Sequence, residues 1–324
     1  MILSKTPLRI SFVGGGSDIA SFYKNETGAV VSTTINKYVY VAINKKFDDK
    51  IRMSYSETET VDKVNDLKHN LARETLKFLK VKKGIEIASI GDIPSGTGLG
   101  SSGAYTVGLI NALAVYKGIT LTNEQLAEYA SIIEIDKVKR PIGKQDQYAE
   151  SYGNLNFIQF NSDGTVAVDP INLSLAKRKE LEANLLLLYT GKREFAEKVL
   201  ARQNKEIEKV NKKKIMSEMV GIAKLLRDEL RKGNVSAFGE LLHENWLLKK
   251  KVAGGISSPQ IDEWYETALK NGAIGGKICG AGGRGFLLLY APLEKHVKIY
   301  KSLSDLQPVY FSFEEKGSTI VYNQ

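Results

Sequence analysis

The sequence predicts an α+β protein of two domains with a cleft between them. Three observations predict it. Stretches rich in β-branched and aromatic residues are interspersed with stretches of helical apolar period along all 324 residues. A polar passage at 161–174 separates two halves, taken as domains 1–165 and 166–324. A glycine-rich turn, Pro94-Ser-Gly-Thr-Gly-Leu-Gly-Ser101-Ser102-Gly103-Ala104, opens a long apolar run, as a ligand loop docked on a helix does. Composition agrees with a packed core and a charged surface: 43% of residues are hydrophobic and 26% charged. No apolar run approaches the ~20 residues of a membrane span. Lys5 leads straight into a strand-like segment, so no signal peptide is expected. A single cysteine, Cys279, excludes an internal disulfide and points to a reducing, cytoplasmic setting. His69, His243 and His296 lack metal-ligand spacing.

The elements follow in order. Leu8–Val13 reads as a strand, closed by the turn Gly14-Gly15-Gly16-Ser17-Asp18. Val30–Asn44 reads as one or two strands, Val64–Leu79 as a helix and Ile85–Ile90 as a strand. Ala104–Lys117 reads as a buried helix stopped by Gly118. Thr122 and Gln125 form a capping box for a helix to about Asp136. Gly143–Phe160 holds a short helix and a strand. In the second half, a strand at 185–189 precedes helices near 194–232, 235–250 and 258–271. Strands at 276–280 and 286–290, a helix at 293–304 and two closing strands complete the chain. The formal net charge is +9, concentrated between Lys205 and Lys232. Apolar residues recur there at Ile207, Val210, Ile215, Met219, Ile222, Leu226 and Leu230, so the basic residues form the solvated face of a helix. A nucleic-acid patch is the sharper alternative, but interleaved aromatics and a known reader motif are both missing.

The loop at 94–104 carries the chemistry. Its glycines let backbone approach a ligand, and a helix N-terminus presents N–H groups and a positive dipole end to an anion. It lacks the Lys-[Ser/Thr] ending of a Walker loop. Gly98-Leu-Gly100-Ser-Ser-Gly103 and Gly280-Ala-Gly282-Gly-Arg-Gly285 both satisfy GxGxxG, yet neither has the strand, helix and acid of a dinucleotide site.

In family order along the whole chain, these motifs resemble those of the GHMP small-molecule kinases, which include galactokinase and the homoserine, mevalonate and phosphomevalonate kinases. Pro94–Ala104 is similar to the family's Pro-x3-Gly-Leu-Gly-Ser-Ser-Ala, with Gly103 inserted before the alanine. Gly280-Ala-Gly282-Gly283 is similar to its third motif, with Arg284 in place of a further glycine. Arg9 followed by Gly14-Gly-Gly-Ser17-Asp18 resembles the sugar-kinase form of the first motif, and Gly143-Lys-Gln-Asp146-Gln147-Tyr148 the Asp-Gln motif of galactokinase. That N-terminal turn and Leu188-Tyr189-Thr190-Gly191 look most like the branch acting on D-glycero-α-D-manno-heptose 7-phosphate.

The resemblance implies a ribosomal protein S5 domain 2-like N-terminal domain and a ferredoxin-like C-terminal GHMP domain. It implies an ATP- and Mg²⁺-dependent kinase phosphorylating the anomeric C1 hydroxyl of that sugar for nucleotide-activated heptose. Fucose- or galactose-type action on a free sugar, and a non-catalytic sugar-phosphate sensor, are the alternatives. Asp146 would take the hydroxyl proton, and Arg9 would stabilise the transferred charge. Pro94, Gly96, Gly98, Leu99, Gly100, Ser101, Ser102 and Gly103 would bind the nucleotide. Gly15, Gly16, Ser17, Asp18, Gly282 and Gly283 would face the sugar. Ser102 and Glu134 would coordinate Mg²⁺. Lys144, Lys192 and Arg193 are candidates for the sugar's phosphate. The residues alone leave blander roles open: a loop that only caps a helix, Asp146 as a helix cap, Arg9 on the solvent side of a strand, Ser17 and Asp18 serving only a turn. The expected partners are a sugar phosphate and ATP, without nucleic acid or membrane, in a monomer or homodimer.

Overall fold

One long strand organises the molecule. In this computed structural model, which describes residues 1–191, 201, 210–283 and 285–324, β2 spans Gly28–Lys45. Arg284, Lys192, Arg193 and most of 194–209 lie outside the described residues. β2 pairs antiparallel with β1 (Ile2–Val13) along nearly all of β1. Its other edge is divided. The first half pairs with β6 (Leu155–Phe160) and the second half with β5 (Ile85–Gly91). The hairpin β3 (Ile51–Ser54) and β4 (Thr58–Val61) extends the sheet beyond β5, with β3 running parallel to it. β7 (Val166–Pro170) extends it beyond β6. The chain's end returns here: β12 (Phe313–Glu314) pairs with β2 and β13 (Thr319–Asn323) with β1.

The register of β1 decides where Arg9 lies. Pro7 has no N–H for the ladder, and the pairing slips there, from Pro7 opposite Tyr38 to Leu8 opposite Ile35. Residues 2–5 alternate between buried and half-buried, whereas 6–13 are all buried. That second half is covered by α3 (Ser101–Tyr116) and α5 (Gln145–Tyr152) from its own domain. α1 (Ala20–Tyr23) follows the turn after β1, and α7 (Val210–Arg231) and α8 (Phe238–Val252) also pack against β1.

The helix expected over 64–79 divides into a 3₁₀ turn at Val64–Asp66 and α2 (Asn70–Phe78). The Glu59 carboxylate draws off the intervening N–H groups, accepting from Lys68 at 2.6 Å and His69 at 3.1 Å. The Thr122–Gln125 capping box forms as expected and starts α4 (Asn123–Ser131), which continues as a π-helical turn over Ile132–Lys137. The second sheet has the order β11-β8-β10-β9, with β8 (Leu185–Tyr189), β9 (Gly275–Ile278), β10 (Phe286–Tyr290) and β11 (Gln307–Pro308), all antiparallel. The apolar runs of β8 and β10 suit strands covered on both faces. α6 (Leu175–Ala183), α9 (Pro259–Lys270) and α10 (His296–Ser302) complete this half. Met216, Met219, Ile222, Leu226 and Leu230 of α7 are buried, while Lys214 and Lys224 are exposed, as an amphipathic surface helix requires. Among the described residues, no helix is long and apolar enough to cross a membrane.

Candidate active site

The two glycine turns that match GxGxxG interlock. A Cβ on Gly98, whose φ is +87°, would lie 2.5 Å from the Cys279 carbonyl oxygen, and one on Gly280 would lie 2.6 Å from Gly98 Cα. Only bare backbone fits on both sides of that seam. The β5–α3 loop is thereby clamped to the end of β9. It opens onto a cleft of about 710 Å³. Arg9, Gly15, Gly16, Asp18, Pro94, Gly96, Gly98, Gly100, Ser101, Ser102 and Asp146 all line this cleft. Residues from all three motifs and the Asp-Gln segment therefore converge.

Arg9 is the hub. It is 4% exposed, and its backbone N–H donates to the Leu99 carbonyl at 3.0 Å. Nη1 donates to the Gly98 carbonyl at 2.8 Å. Nε and Nη2 both donate to Oδ1 of Asp146, at 2.9 and 2.7 Å. Asp146 sits in the first turn of α5, reached through the close contact of Gly143 with Asp18: a Cβ on Gly143 would fall 1.9 Å from Asp18 Oδ2. Burial opposes the charge of Arg9, but Asp146 and Glu150 outweigh it and hold the guanidinium more firmly protonated than usual. Asp18 is buried and accepts from Gly16 N–H at 3.0 Å and Gln145 N–H at 3.2 Å. Burial, then the charge of Asp146, raises its carboxyl above the ordinary value.

At the N-terminus of α3, Ser101 Oγ is buried without a hydrogen-bond partner among the described residues. Ser102 Oγ donates to Glu134 Oε2 at 3.2 Å. Glu134 is fully buried, accepts from Gln147 Nε2 at 2.9 Å, and is also paired with Arg140. Burial raises its pKa against those partners. The segment 137–140 is accommodated by the π-helical turn and by Lys139 in the left-handed region, φ 63°, which brings Arg140 back onto Glu134. A hydroxyl beside a carboxylate at a helix N-terminus is a donor set suited to Mg²⁺, which takes its remaining oxygens from phosphate and water. The orphaned Ser101 hydroxyl and the open helix end suit a nucleotide's phosphates.

Several expected contacts fall elsewhere. Ser17 does not reach the cleft. Its hydroxyl donates to the Gly14 and Ala29 carbonyls at 2.8 and 3.0 Å and accepts from Ala29 N–H at 3.0 Å, stitching the turn to β2. Gly282 and Gly283 lie behind the floor, with Gly283 N–H bonded to the Ile256 carbonyl at 2.9 Å; Gly280 and Ala281 form the floor itself. Leu99 is buried beneath the loop and contributes its carbonyl to Arg9. Gly103 also lies beneath. A Cβ there would sit 2.5 Å from Glu150 Oε2 and 3.0 Å from Asp146 Cβ. The inserted glycine thus makes room for Glu150, fully buried one helical turn after Asp146, whose two carboxyl oxygens have no hydrogen-bond partner among the described residues. Burial, then Asp146, raises the pKa of Glu150 well above the ordinary carboxyl value.

Sequence reasoning missed Glu150, Arg140 and the far end of the cleft, where Tyr55, His69, Leu71, Ile90, Ile93 and Tyr105 form an aromatic and apolar wall. His69 packs between Tyr55, edge to face, and Tyr105, tilted, at centroid distances of 4.8 and 5.0 Å. It also missed Lys249 and Lys277, both buried and both lining the cleft. Lys277 carried a signal, as a lone charge in the apolar strand before a glycine turn. Lys249 carried none, since it opens a run of three lysines of which it alone is buried.

The sequence matches the families described as GHMP kinases N terminal domain, over residues 67–154, and GHMP kinases C terminal, over residues 226–307. It is 30% identical to the D-glycero-alpha-D-manno-heptose 7-phosphate kinase of Campylobacter jejuni, over 98% of this chain and 97% of that protein. It is 25% identical to the galactokinase of Pyrococcus furiosus, over 91% of this chain and 90% of that one. The fold superposes on a crystal structure of a D-glycero-D-manno-heptose 1-phosphate kinase from Bacteroides thetaiotaomicron with a TM-score of 0.82 at 23% identity, covering 100% of both chains. The interlocked glycine turns, the Arg9–Asp146 pair and these matches together place the chain in the GHMP kinases, a family of ATP-dependent phosphotransferases.

Proposed function

We propose that this kinase transfers the γ-phosphoryl group of ATP to the anomeric C1 hydroxyl of D-glycero-D-manno-heptose 7-phosphate. The product is the 1,7-bisphosphate, a precursor of nucleotide-activated heptose for surface polysaccharide. The observation that carries the reading is the buried Arg9–Asp146 pair inside the cleft bounded by the glycine loop. The heptose choice rests on the 30% identity to the Campylobacter jejuni enzyme across nearly the full length of both proteins.

Both Arg9 bonds land on Oδ1 of Asp146, which leaves Oδ2 to take the proton of the sugar hydroxyl. Arg9 fixes that carboxylate and brings positive charge to where charge develops in phosphoryl transfer. Asp18 and the Gly15–Gly16 turn face the sugar. The Tyr55–His69–Tyr105 wall receives the base, and Ser101 with the N-terminus of α3 receives the phosphates. When bound, Mg²⁺ neutralises charge on the phosphates, and Ser102 and Glu134 are the residues that hold it.

Steady-state kinetics with the heptose bearing or lacking its 7-phosphate test the reading. A charged hydrogen bond is worth ~1.5–3 kcal/mol, so removing the phosphate should lower kcat/KM at least about tenfold. Equal values, or preference for free galactose or fucose, would retire the heptose phosphate while leaving a sugar kinase.

A further inference from the structure

Two buried polar atoms at the sugar-facing end of the cleft have nothing to bond. Ser11 is 3% exposed, lines the cleft, and its Oγ has no hydrogen-bond partner among the described residues. Gln145 lines the cleft too, and its buried Oε1 is likewise without a partner among the described residues. A buried hydroxyl or carbonyl left unbonded is destabilising, so such atoms mark a place where a ligand completes the bonding. Both residues are held by their other groups. Lys277 Nζ, from β9, donates to the Ser11 carbonyl at 2.7 Å. The N–H and Nε2 of Gln145 both donate to Asp18, at 3.2 Å to Oδ2 and 3.3 Å to Oδ1. That clasp sets the amide nitrogen toward Asp18 and turns Oε1 away from it. Gly15 lies between the two residues. A Cβ there would sit 3.4 Å from Ser11 Oγ and 3.9 Å from Gln145 Nε2, so the missing side chain leaves a gap that both groups border.

We propose that Ser11 and Gln145 together recognise the sugar hydroxyl next to the one that reacts; this rests on the reading of the acceptor as a sugar. Arg9 and Ser11 are two residues apart on β1 and share a face of the strand. Gln145 directly precedes Asp146 at the start of α5. Each recognition group thus stands one place from a member of the catalytic pair, beside Gly15 and away from the glycine loop that Arg9 grips through Leu99 and Gly98. A hydroxyl on the neighbouring sugar carbon is displaced from the reacting one in the same way. In the gap beside Gly15 it donates its proton to Gln145 Oε1 and accepts from Ser11 Oγ. For transfer to C1 this is the C2 hydroxyl. One alcohol satisfies both unbonded atoms, and an analogue lacking it leaves both unpaired, which is how a polar site rejects such an analogue.

Ser11→Ala and an acceptor without its 2-hydroxyl remove the two sides of one bond, and steady-state ADP release measures both. The wild type should lose at least about tenfold in kcat/KM when heptose 7-phosphate is replaced by its 2-deoxy analogue. Ser11→Ala should lose at least about fivefold on the parent sugar, yet stay within about twofold of the wild type on the analogue and in KM for ATP. Its urea midpoint should match or exceed that of the wild type, because the hydroxyl bonds no described group in the free protein. Gln145→Met, which also releases Asp18, should lose more on the parent than on the analogue. Equal losses on the two sugars in either variant, or a raised KM for ATP in Ser11→Ala, would overturn the assignment. A wild type that uses both sugars alike would overturn this inference and leave the heptose reading standing. If the wild type instead prefers galactose or fucose, the heptose reading falls. The same cycle with that sugar and its 2-deoxy form then decides this inference: coupling upholds it and additivity overturns it. A wild type that phosphorylates no sugar would overturn both.

Discussion

Asp146→Asn removes one charge from a buried cluster, and the cluster decides how much is lost. The catalytic effect comes first. Loss of a general base slows turnover roughly 10²–10⁴-fold, or about 2.7–5.4 kcal/mol of transition-state stabilisation. ATP affinity should hold, because the glycine loop keeps its bond from Arg9 to Gly98. The effect on folding is less direct. Removing one partner of a buried ion pair costs about 3–5 kcal/mol when the other is left uncompensated. Arg9 is not left so. Glu150 lies beside it, and the charge of Asp146 is part of what raises the Glu150 pKa. With Asp146 gone, Glu150 ionises more readily and answers Arg9. We therefore expect a loss of only about 1–2 kcal/mol for Asp146→Asn, and the full 3–5 kcal/mol for Asp146→Asn combined with Glu150→Gln. Urea denaturation of the wild type, Asp146→Asn, Glu150→Gln and the double variant gives the coupling, and steady-state kinetics gives the turnover. Turnover within threefold of wild type would remove Asp146 from the role of base. Additive stabilities would show that Glu150 does not compensate Arg9.

Glu150 also sets a pH dependence. Its folded pKa is raised, so the stability from keeping it neutral is present below the ordinary carboxyl value of about 4.3 and fades as pH rises through the folded value. Glu150→Gln should flatten that decline in denaturation midpoints as pH rises above 4; parallel curves would show that Glu150 is not its source. Gly103→Ala should cost about 1–3 kcal/mol through the clash with Glu150 and regain most of it on adding Glu150→Ala, as a thermal-melt cycle can measure. Ser102→Ala and Glu134→Gln should each raise the Mg²⁺ needed for half-maximal rate; an unchanged Mg²⁺ titration would point to Ser101 instead. Gly98→Val should weaken ATP binding and lower the melting temperature together, since its side chain strikes the Cys279 carbonyl before it meets any phosphate; calorimetry showing normal ATP affinity would refute the role of the loop.

Local signals were the legible ones. The Thr122 capping box, the apolar face of α7 and the strands at 185–189 and 286–290 depend on neighbours a few residues apart, and each forms where expected. β7 and α6 were not legible. β7 has no buried residue and α6 buries only Leu181, so neither shows a clear apolar face. The site divides in the same way. Arg9, Asp18, Gly98, Ser102 and Asp146 sit in motifs whose spacing announces them, and the structure brings them into one cleft. Ser17, Gly282 and Gly283 share those motifs, yet their polar groups or close contacts are spent inside the protein. Glu150, Lys249 and Lys277 owe their setting to pairs more than 45 residues apart in sequence, such as Lys249 with Gly15 and Gly103 with Glu150, which no local pattern encodes.

Phosphorus NMR of the reaction product tests the central claim most directly. The protein, ATP, Mg²⁺ and D-glycero-D-manno-heptose 7-phosphate should give one new sugar-phosphate resonance, coupled to the anomeric proton, while the original 7-phosphate signal persists and ADP accumulates. A new phosphate coupled to any other ring or side-chain proton would contradict the assignment of the C1 hydroxyl. ADP formation without a new sugar phosphate, or with galactose or fucose alone, would contradict the assignment of the acceptor.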